Sequence, residues 1–226
     1  MAVGGTIGNR ITDLIGSEHA TAAGYAGDLI NAAINEIADL LPDKLLLKYS
    51  RTPGVLESNS EWLVEGRKIL QVTRIDADSS GIERACQEVN RGDFSSAGDS
   101  SSIYSVTNFT PIFHEDTNNA GAATLKILPA PTAAQKGKIW YFSYVANGTD
   151  TNGVTGATLN TSYFLPAELI HAVALKSSIN LLSSYMSNSI QDDEDTEIVQ
   201  MLTAQVASLQ GQFEQEMTRF AGGKAE

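Results

Sequence analysis

Residues 164–190 read FLPAELIHAVALKSSINLLSSYMSNSI and form the longest segment that combines a helical pattern with almost no charge. Pro166 suits the first position of a helix, because its missing N–H would have no partner within the helix there. Glu168 could then accept a hydrogen bond from the free amide at the cap, and Phe164 and Leu169 could form a hydrophobic staple. The sequence therefore predicts a stiff entry into a helix that begins at Pro166.

Apolar side chains follow two adjoining rows of this helix. The rows are Ile170, Val173, Ala174 and Leu181, and Leu169, Ala172, Leu175, Ile179, Leu182 and Met186. A surface helix has a narrower apolar stripe of about 100°, so a helix that is apolar over most of its circumference is buried between other elements. We therefore expect residues 166–190 to be the central packing helix.

Two segments near the N-terminus also have apolar residues at helical spacing. Residues 6–15 place four of them on one face, and Gly16 is expected to end this helix. Residues 25–41 carry an apolar stripe of period 3.6, and Pro42 is expected to stop it before a short helix or turn in residues 43–51. The polar residues largely opposite that stripe are Asn31, Asn35, Glu36 and Asp39.

The chain after residue 190 predicts a last helix with one apolar seam. The run QDDEDTE at 191–197 contains five acidic residues, which favour the positive end of a helix dipole. Residues 198–220 then have a near-heptad seam, formed by Leu202, Val206, Leu209, Phe213, Met217 and Phe220. This seam must be covered. It either folds back on the chain's own first helices or reaches a neighbouring subunit as a terminal arm that leaves at about residue 191.

Between these helical segments, β-branched and aromatic runs are separated by clusters of Gly, Asn, Asp and Ser. The predicted strands are Glu61–Val64, Lys68–Ala77, Pro111–His114, Ala123–Leu128 and Lys138–Val145. The segment Glu83–Val89 fits either one helical turn or an irregular strand. Two polar segments, Gly92–Ser102 and Asn147–Asn160, are interpreted as loops, and the second is long enough to be mobile or ordered by a partner.

The hydrophobic period switches from 3.6 to 2 and back, which predicts an α+β fold. We expect a helical bundle that combines N-terminal helices in residues 1–54 with long C-terminal helices in residues 163–226. An antiparallel β-rich region, residues 55–162, would be inserted between them. No apolar run among the 226 residues approaches the ~20 that a membrane span needs, and the N-terminus lacks the pattern of a secretory signal. We therefore expect no membrane association and no export.

The residue types that catalysis needs do not form a recognisable site. The histidines His19, His114 and His171 are scattered, and the sequence motifs of metal hydrolases, nucleophile elbows and phosphate-binding loops do not occur. The cluster HED at 114–116 fits a hairpin turn better than a catalytic group. The single cysteine, Cys86, excludes an internal disulfide and a cysteine-ligated zinc site. We therefore predict no enzyme activity, no cofactor and no metal site.

The chain is strongly acidic, with 15 Lys and Arg against 27 Asp and Glu and a net charge of −12. This balance argues against a protein that wraps nucleic acid with a basic face. An acidic wall along a channel, however, would repel phosphates and prevent a passing DNA duplex from binding to the wall. The charge therefore favours a DNA conduit over a DNA-binding protein.

The order of elements resembles that of the head-to-tail connector (adaptor or neck) proteins of tailed bacteriophages. This order is two helices, a proline, a strand-rich middle and a proline-initiated apolar helix. Residues 124–131 (TLKILPAP) and 138–145 (KIWYFSYV) look like that family's strand ending in Pro-x-Pro, loop, and strand ending in Tyr. The opening LPAEL at 165–169 is similar as well. The acidic break before the Gln-rich segment 200–215 is similar to extended members found in marine phages. The resemblance spans about residues 6–220.

The resemblance implies a structural protein of the virion neck, made in the cytoplasm of the host bacterium, with no catalytic residues. Such subunits form a homo-oligomeric ring, a dodecamer, beneath the portal protein and dock to tail or neck proteins. Genomic DNA passes through the ring's channel without specific binding. We take the six seam residues as the candidate interface. The alternatives are another phage structural protein (tail or decoration), a soluble binding module, and an unrecognised hydrolase.

Overall fold

A computed structural model describes residues 5–22, 26–50, 52–58, 61–76, 81–99, 101–103, 105–118, 120–191 and 196–222. Within these ranges the chain has seven α-helices and two four-stranded sheets, so the prediction of an α+β fold is confirmed. The chain divides into two compact units. We call residues 1–49 with 145–226 the helical unit, and residues 50–144 the β unit.

The helices are α1 (Ile7–Ala22), α2 (Ala26–Leu40), α3 (Asp43–Tyr49), α4 (Arg91–Ala97), α5 (Gly156–Ser162), α6 (Ile170–Gln191) and α7 (Thr196–Gly222). The strands are β1 (Gly54–Leu56), β2 (Trp62–Leu63), β3 (Arg67–Ile75), β4 (Glu83–Ala85), β5 (Gln87–Glu88), β6 (Ile112–Thr117), β7 (Ala123–Leu128) and β8 (Gly137–Ser143). Each predicted strand overlaps an observed one, although Ala77 lies outside the described residues. The ambiguous segment 83–89 forms two short strands, β4 and β5.

Helix α6 contacts α1, α2 and α7, and its apolar rows are buried except for Met186, which is half-buried. Leu175, Leu181 and Leu182 at its centre are almost completely inaccessible to solvent. Because side chains on several sides of α6 are buried by different helices, the prediction of a central packing helix is confirmed. None of the helices in the described ranges is both long enough and apolar enough to cross a membrane.

The start of α6 differs from the prediction. Pro166 has extended backbone angles (φ −53°, ψ 133°) and precedes a 3₁₀ turn over Ala167–Leu169, so α6 itself begins at Ile170. The Leu165 amide, which Glu168 was expected to satisfy, donates instead to the Leu159 carbonyl at 3.2 Å. The helix therefore begins later because α5, which the sequence did not predict, already provides the capping partner.

The expectation that Gly16 ends the first helix is confirmed, because Gly16 has the non-helical angles φ 81° and ψ 158°. This backbone region is essentially restricted to glycine. A second helical stretch follows directly across this kink, so α1 (Ile7–Ala22) contains two helices. The first part of α1 is anchored by buried Ile7, Ile11 and Ile15.

The segment Asn147–Asn160 was expected to be mobile or ordered by a partner, but α2 of the same unit holds its first part. Asn31 donates to the carbonyls of Ala146 (3.1 Å) and Thr149 (3.0 Å) and accepts from the Thr151 hydroxyl (2.8 Å). Asn35 pairs with the backbone of residue 145 in both directions. The expectation that both asparagines lie opposite the packed face is therefore wrong for Asn31, which is fully buried.

Two short helices, α4 and α5, replace predicted loops in 92–102 and 147–160. The Asn90 side chain caps α4 by accepting from the Asp93 amide at 3.0 Å. Thr155 caps α5 in the same way through the amide of Thr158. Ser, Thr and Asn are unfavourable inside a helix, because their side chains hydrogen-bond to the nearby backbone, but they are strong N-caps. A composition rich in these residues therefore predicted loops where the structure has two short capped helices.

The β unit contains two sheets with strand orders β1-β8-β3-β4 and β2-β7-β6-β5. Its core is formed by Leu56, Val64, Val72, Phe113, Leu125, Ile127 and Ile139. The chain passes from one sheet to the other at Cys86, whose amide donates to the Val72 carbonyl while the next amide donates to Pro111. All pairings are antiparallel except β5 with β6, which is parallel. The prediction of an antiparallel region is therefore wrong for that pair.

Gly54 in β1 leaves no room for a side chain. A Cβ there would lie 2.8 Å from the Trp62 ring, which is held by Tyr141 (centroids 5.0 Å apart) and by the Arg67 guanidinium. We expect Gly54→Ala to lower the free energy of unfolding by about 2 kcal/mol, as measured by chemical denaturation, because the ring must move. The matched control Gly153→Ala, which meets nothing within 4 Å, should be close to neutral.

Candidate interface on the C-terminal helix

Helix α7 runs back along α6 in the antiparallel direction. The Thr203 hydroxyl lies 3.8 Å from the sulfur of Met186, near the end of α6. Further along α7, the Phe213 ring lies 6.0 Å from the Nζ of Lys176, near the start of α6. In the described residues α7 therefore follows α6 and does not extend away from it as an arm. Residues 192–195, which carry four of the five acids of the predicted hinge, lie outside the described residues.

The first half of the seam is covered within the chain. Leu202, Val206 and Leu209 are buried. Between them, the Gln205 side chain donates to the Leu14 carbonyl of α1 at 3.2 Å, so α7 is tied to α1 as well as to α6. The packing of these three side chains is thus accounted for without a partner.

The second half of the seam is only half-buried. Phe213, Met217 and Phe220, which we call the distal seam, keep part of their apolar surface accessible. Lys176 lies beside it and forms an ion pair with Glu36 of α2 at 2.7 Å. A groove of about 350 Å³ runs along this end of the helix pair and is lined by His171, Gln212, Gln215, Glu216 and Arg219. The distal seam with its polar rim is therefore the part of the predicted interface that is open to a partner.

The acidic excess is divided unequally between the two units. The helical unit contains 6 Lys and Arg against 16 Asp and Glu, a net charge of −10, whereas the β unit contains 9 against 11, a net charge of −2. Repulsion of a polyanion would consequently come almost entirely from the helical unit.

The three histidines lie on three different elements. His19 is on α1, His114 on β6 and His171 on α6. His114 is held by a 3.0 Å hydrogen bond between its Nδ1 and the Val89 carbonyl, a structural role. Among the residues that the structure describes, no group of three His, Cys, Asp or Glu side chains has the geometry to hold a metal ion.

The cluster at 114–116 is not a hairpin turn, contrary to the prediction. All three residues lie inside β6 and pair with β7, for example Glu115 with Leu125. The reversal comes later, where the Asn118 carbonyl and side chain accept from the amides of residues 120–122 and Gly121 has φ 82°. The strand therefore ends three residues beyond its predicted end at His114.

Cys86 is not an activated thiol. Burial raises the pKa of this thiol to about 12, although the nearby Arg74 guanidinium acts in the opposite direction. Arg74 is itself almost fully buried and donates to the side-chain oxygens of Asn108 (2.9 Å) and Gln135 (2.6 Å). The charge of Arg74 is therefore engaged with amides rather than with a thiolate.

We expect Cys86 to react slowly with disulfide reagents. With a pKa of about 12 the thiolate fraction at pH 8 is on the order of 10⁻⁴, whereas an ordinary thiol is ionised to tens of per cent. Ellman's reagent should therefore react at least about 100-fold more slowly with the native protein than with the same chain in denaturant. The native rate should rise as the pH approaches 12. Native and denatured rates within tenfold of each other would contradict the raised pKa.

Several large apolar side chains are exposed, and one of them, Leu40, was expected to belong to the packed stripe of the second helix. They are Leu40, Val55, Leu63, Ile82, Ile103, Phe109, Ile198 and Met201. Ile103 and Phe109 lie between α4 and β6, where the Arg84 guanidinium stacks 4.7 Å from the Phe109 ring. Single apolar residues in a Ser- and Thr-rich stretch have no periodicity, so only the structure reveals their exposure.

Comparisons with family models and with curated proteins give no match from which a function could be assigned. No family model matches this sequence, and no curated protein matches it significantly. The assignment of function therefore depends on the architecture, the distal seam and the distribution of charge.

Proposed function

We propose that this protein is a head-to-tail adaptor subunit of a tailed bacteriophage. In this proposal the subunits form a homo-oligomeric ring, a dodecamer, that docks beneath the portal protein in the virion neck, continues the DNA channel and connects to tail or neck proteins. Helices α1, α2, α6 and α7 would form the helical bundle of the subunit. No catalytic residue, cofactor or metal takes part.

The observation that carries the proposal is the order of elements. Both ends of the chain supply the helical unit, and a β unit of residues 50–144 is inserted between them. This is the arrangement that the resemblance to phage adaptors implies. The phrases that carry the resemblance, 124–131 and 138–145, correspond to β7 with its Pro-x-Pro end and to β8. Fold alone does not imply function, so the interface and the charge must also agree.

The interface and the charge both suit a ring around DNA. A cyclic ring needs a surface on each subunit that differs from the surface it meets on the next one. The distal seam supplies an apolar strip with a polar rim for one such contact, with a neighbour or with the portal. The net charge of −10 on the helical unit would let DNA pass without adhering if this unit lines the channel.

Assembly can be measured by size-exclusion chromatography with light scattering, alone and with portal protein. We expect a closed high-order ring, either free or on the portal, and a Phe213→Ser and Met217→Ser double variant that remains folded but no longer assembles. The exposed double variant Gln200→Ser and Gln210→Ser, which lies outside the groove, is the matched control on α7 and should assemble normally. A compact monomer that does not bind the portal protein would refute the proposal and favour a soluble binding module.

The purified protein should also show no measurable affinity for duplex DNA at physiological salt. The net charge of −12 on each subunit is multiplied around a ring, so repulsion of phosphates should dominate. Fluorescence anisotropy with a labelled duplex provides the measurement. Micromolar binding that weakens as salt is added would mean that a basic surface forms on assembly, against the proposal of a passive channel.

A further inference from the structure

The turn at residues 107–110 of the β unit presents an exposed aromatic ring in a fixed position. Phe109 is 64% accessible to solvent. Its amide donates to the Thr107 hydroxyl at 3.3 Å, within the turn itself. The buried Arg74 guanidinium donates to the Asn108 side chain at 2.9 Å, which ties the turn to β3. The ring is therefore held in place by its backbone, and a partner that covered it would not have to order a loop first.

Positive charge accumulates behind this ring. The register of β3 and β4 places Arg74 directly opposite Arg84, so the two side chains lie on the same face of the sheet. Buried Asp76 pairs with Arg84 at 2.9 Å, so two guanidinium groups and one carboxylate leave a net charge of +1. Like charges directly opposite each other are unfavourable. An acidic partner would therefore stabilise this pair.

Arg84 carries the charge to the surface beside the ring. Its guanidinium stacks 4.7 Å from the centre of the Phe109 ring, and 29% of its side chain is accessible to solvent. We call Phe109 with Arg84 the knob. Aromatic and arginine side chains are the types most enriched among the residues that dominate binding at protein interfaces. The knob consequently fits an apolar cavity with a negative rim.

The distal seam has this complementary character. Its groove of about 350 Å³ lies at the lower end of the volumes of pockets that enclose a small ligand, so it offers room for one ring. Residues 210–222 of α7 contain Glu214 and Glu216 against Arg219, a net charge of −1, within a helical unit whose net charge is −10. Glu216 lines the groove itself. The apolar strip of the seam and this carboxylate thus match the ring and the guanidinium of the knob.

We propose that the knob of one subunit inserts into the groove of the distal seam on a second copy of this chain. Phe109 covers the apolar strip, and Arg84 approaches Glu216. Because the knob and the groove are different surfaces, the contact is heterologous and can repeat from one subunit to the next. This inference rests on the proposed function in taking the distal seam as an assembly surface, and it assigns that surface to a neighbouring subunit rather than to the portal.

Two variants that each lack one surface test the contact by analytical ultracentrifugation, alone and with portal protein. Phe109→Ser removes the knob, and the double variant Phe213→Ser and Met217→Ser removes the groove. Each should be monomeric where the wild type assembles. An equimolar mixture of the two should form a 1:1 dimer and nothing larger, because the mixture allows one intact contact and leaves only damaged surfaces free. The control Val55→Ser removes an exposed apolar side chain at the opposite edge of the same sheet and should assemble normally.

The charge pair is tested within that 1:1 dimer. Glu216→Gln in the chain without the knob should weaken the dimer by about three- to fivefold, as expected for a pair at the rim of an interface. Glu197→Gln removes an exposed acid at the start of α7, outside the groove, and should not weaken it. If the double variant does not fold, exposed Gln215→Arg at the rim of the groove replaces it, because it puts a positive charge opposite Arg84.

The outcomes separate this inference from the proposed function. Normal assembly of Phe109→Ser, or a mixture that stays monomeric while the wild type forms rings, overturns the contact between knob and groove and leaves the adaptor function standing. A wild type that assembles through this contact but does not bind the portal protein supports the contact and refutes the adaptor function. A wild type that is monomeric at every concentration, with and without the portal protein, overturns both.

Discussion

Leu202→Ala should lower the free energy of unfolding by about 3 kcal/mol, because the side chain is fully buried where α7 packs within the helical unit. The adjacent residue provides the matched control. Met201 is 63% exposed, so Met201→Ala should change stability by less than about 0.5 kcal/mol. Urea denaturation of both variants gives the two values under identical conditions.

Truncation after Ile190 extends the same test to the whole of α7. Removal of Leu202, Val206 and Leu209 exposes the facing side of α6, at roughly 1.5–3 kcal/mol for each lost apolar side chain, which is comparable to the total stability of a domain. We therefore expect the truncated chain to unfold or aggregate. If it stays soluble with an unchanged melting temperature and fails only to assemble, the whole seam belongs to an intermolecular arm.

The helical part of the fold could be predicted because its signal is local. The apolar rows of α6 and the stripe of α2 repeat every 3.6 residues, and burial follows directly from that repeat. The two missed helices, α4 and α5, are only seven residues long and are rich in Gly, Ser and Thr. Their caps, Asn90 and Thr155, were present in the sequence, but a cap without an apolar stripe is a weak signal.

The candidate interface was predictable in position but not in extent. The seam from Leu202 to Phe220 is regular along its whole length. Nothing in its sequence pattern therefore distinguishes the first part, which is buried, from the distal seam, which is partly exposed. That difference depends on where α6 and α1 lie, through contacts such as Gln205 with Leu14, which are 191 residues apart. Periodicity identifies which face is covered, whereas the covering element is a property of tertiary structure.

Asn31 shows the same limitation for a polar residue. It occurs among polar residues of α2 and was expected to face away from the core, yet it is fully buried and bonded to residues 146, 149 and 151. Those partners lie more than 110 residues away and form no pattern with it in the sequence. A buried amide that satisfies two carbonyls and a hydroxyl fixes one conformation of the connecting segment.

Asn31→Asp should therefore be strongly destabilising at neutral pH. The carboxylate keeps the acceptor for Thr151 but loses both N–H donors, so it would face the carbonyls of Ala146 and Thr149 as a buried charge. Two unsatisfied carbonyls at ~1–3 kcal/mol each give an expected loss of about 4 kcal/mol at pH 7. The exposed Asn9→Asp on α1 is the matched control and should be nearly neutral.

The pH dependence gives the sharper result. Burial against two carbonyls should raise the pKa of the new carboxyl in the folded state above the unfolded value of about 3.9. The loss in free energy of unfolding relative to wild type should then be smallest below pH 4, where the protonated carboxyl can still donate one hydrogen bond. The loss should grow as the pH rises from about 4 to the folded pKa, where only the unfolded chain is ionised, and should level off above the folded pKa. Denaturation of wild type, Asn31→Asp and Asn9→Asp between pH 4 and pH 8 measures this difference. A deficit that is small at pH 7, or independent of pH, would mean that Asn31 does not hold the segment after β8 in place.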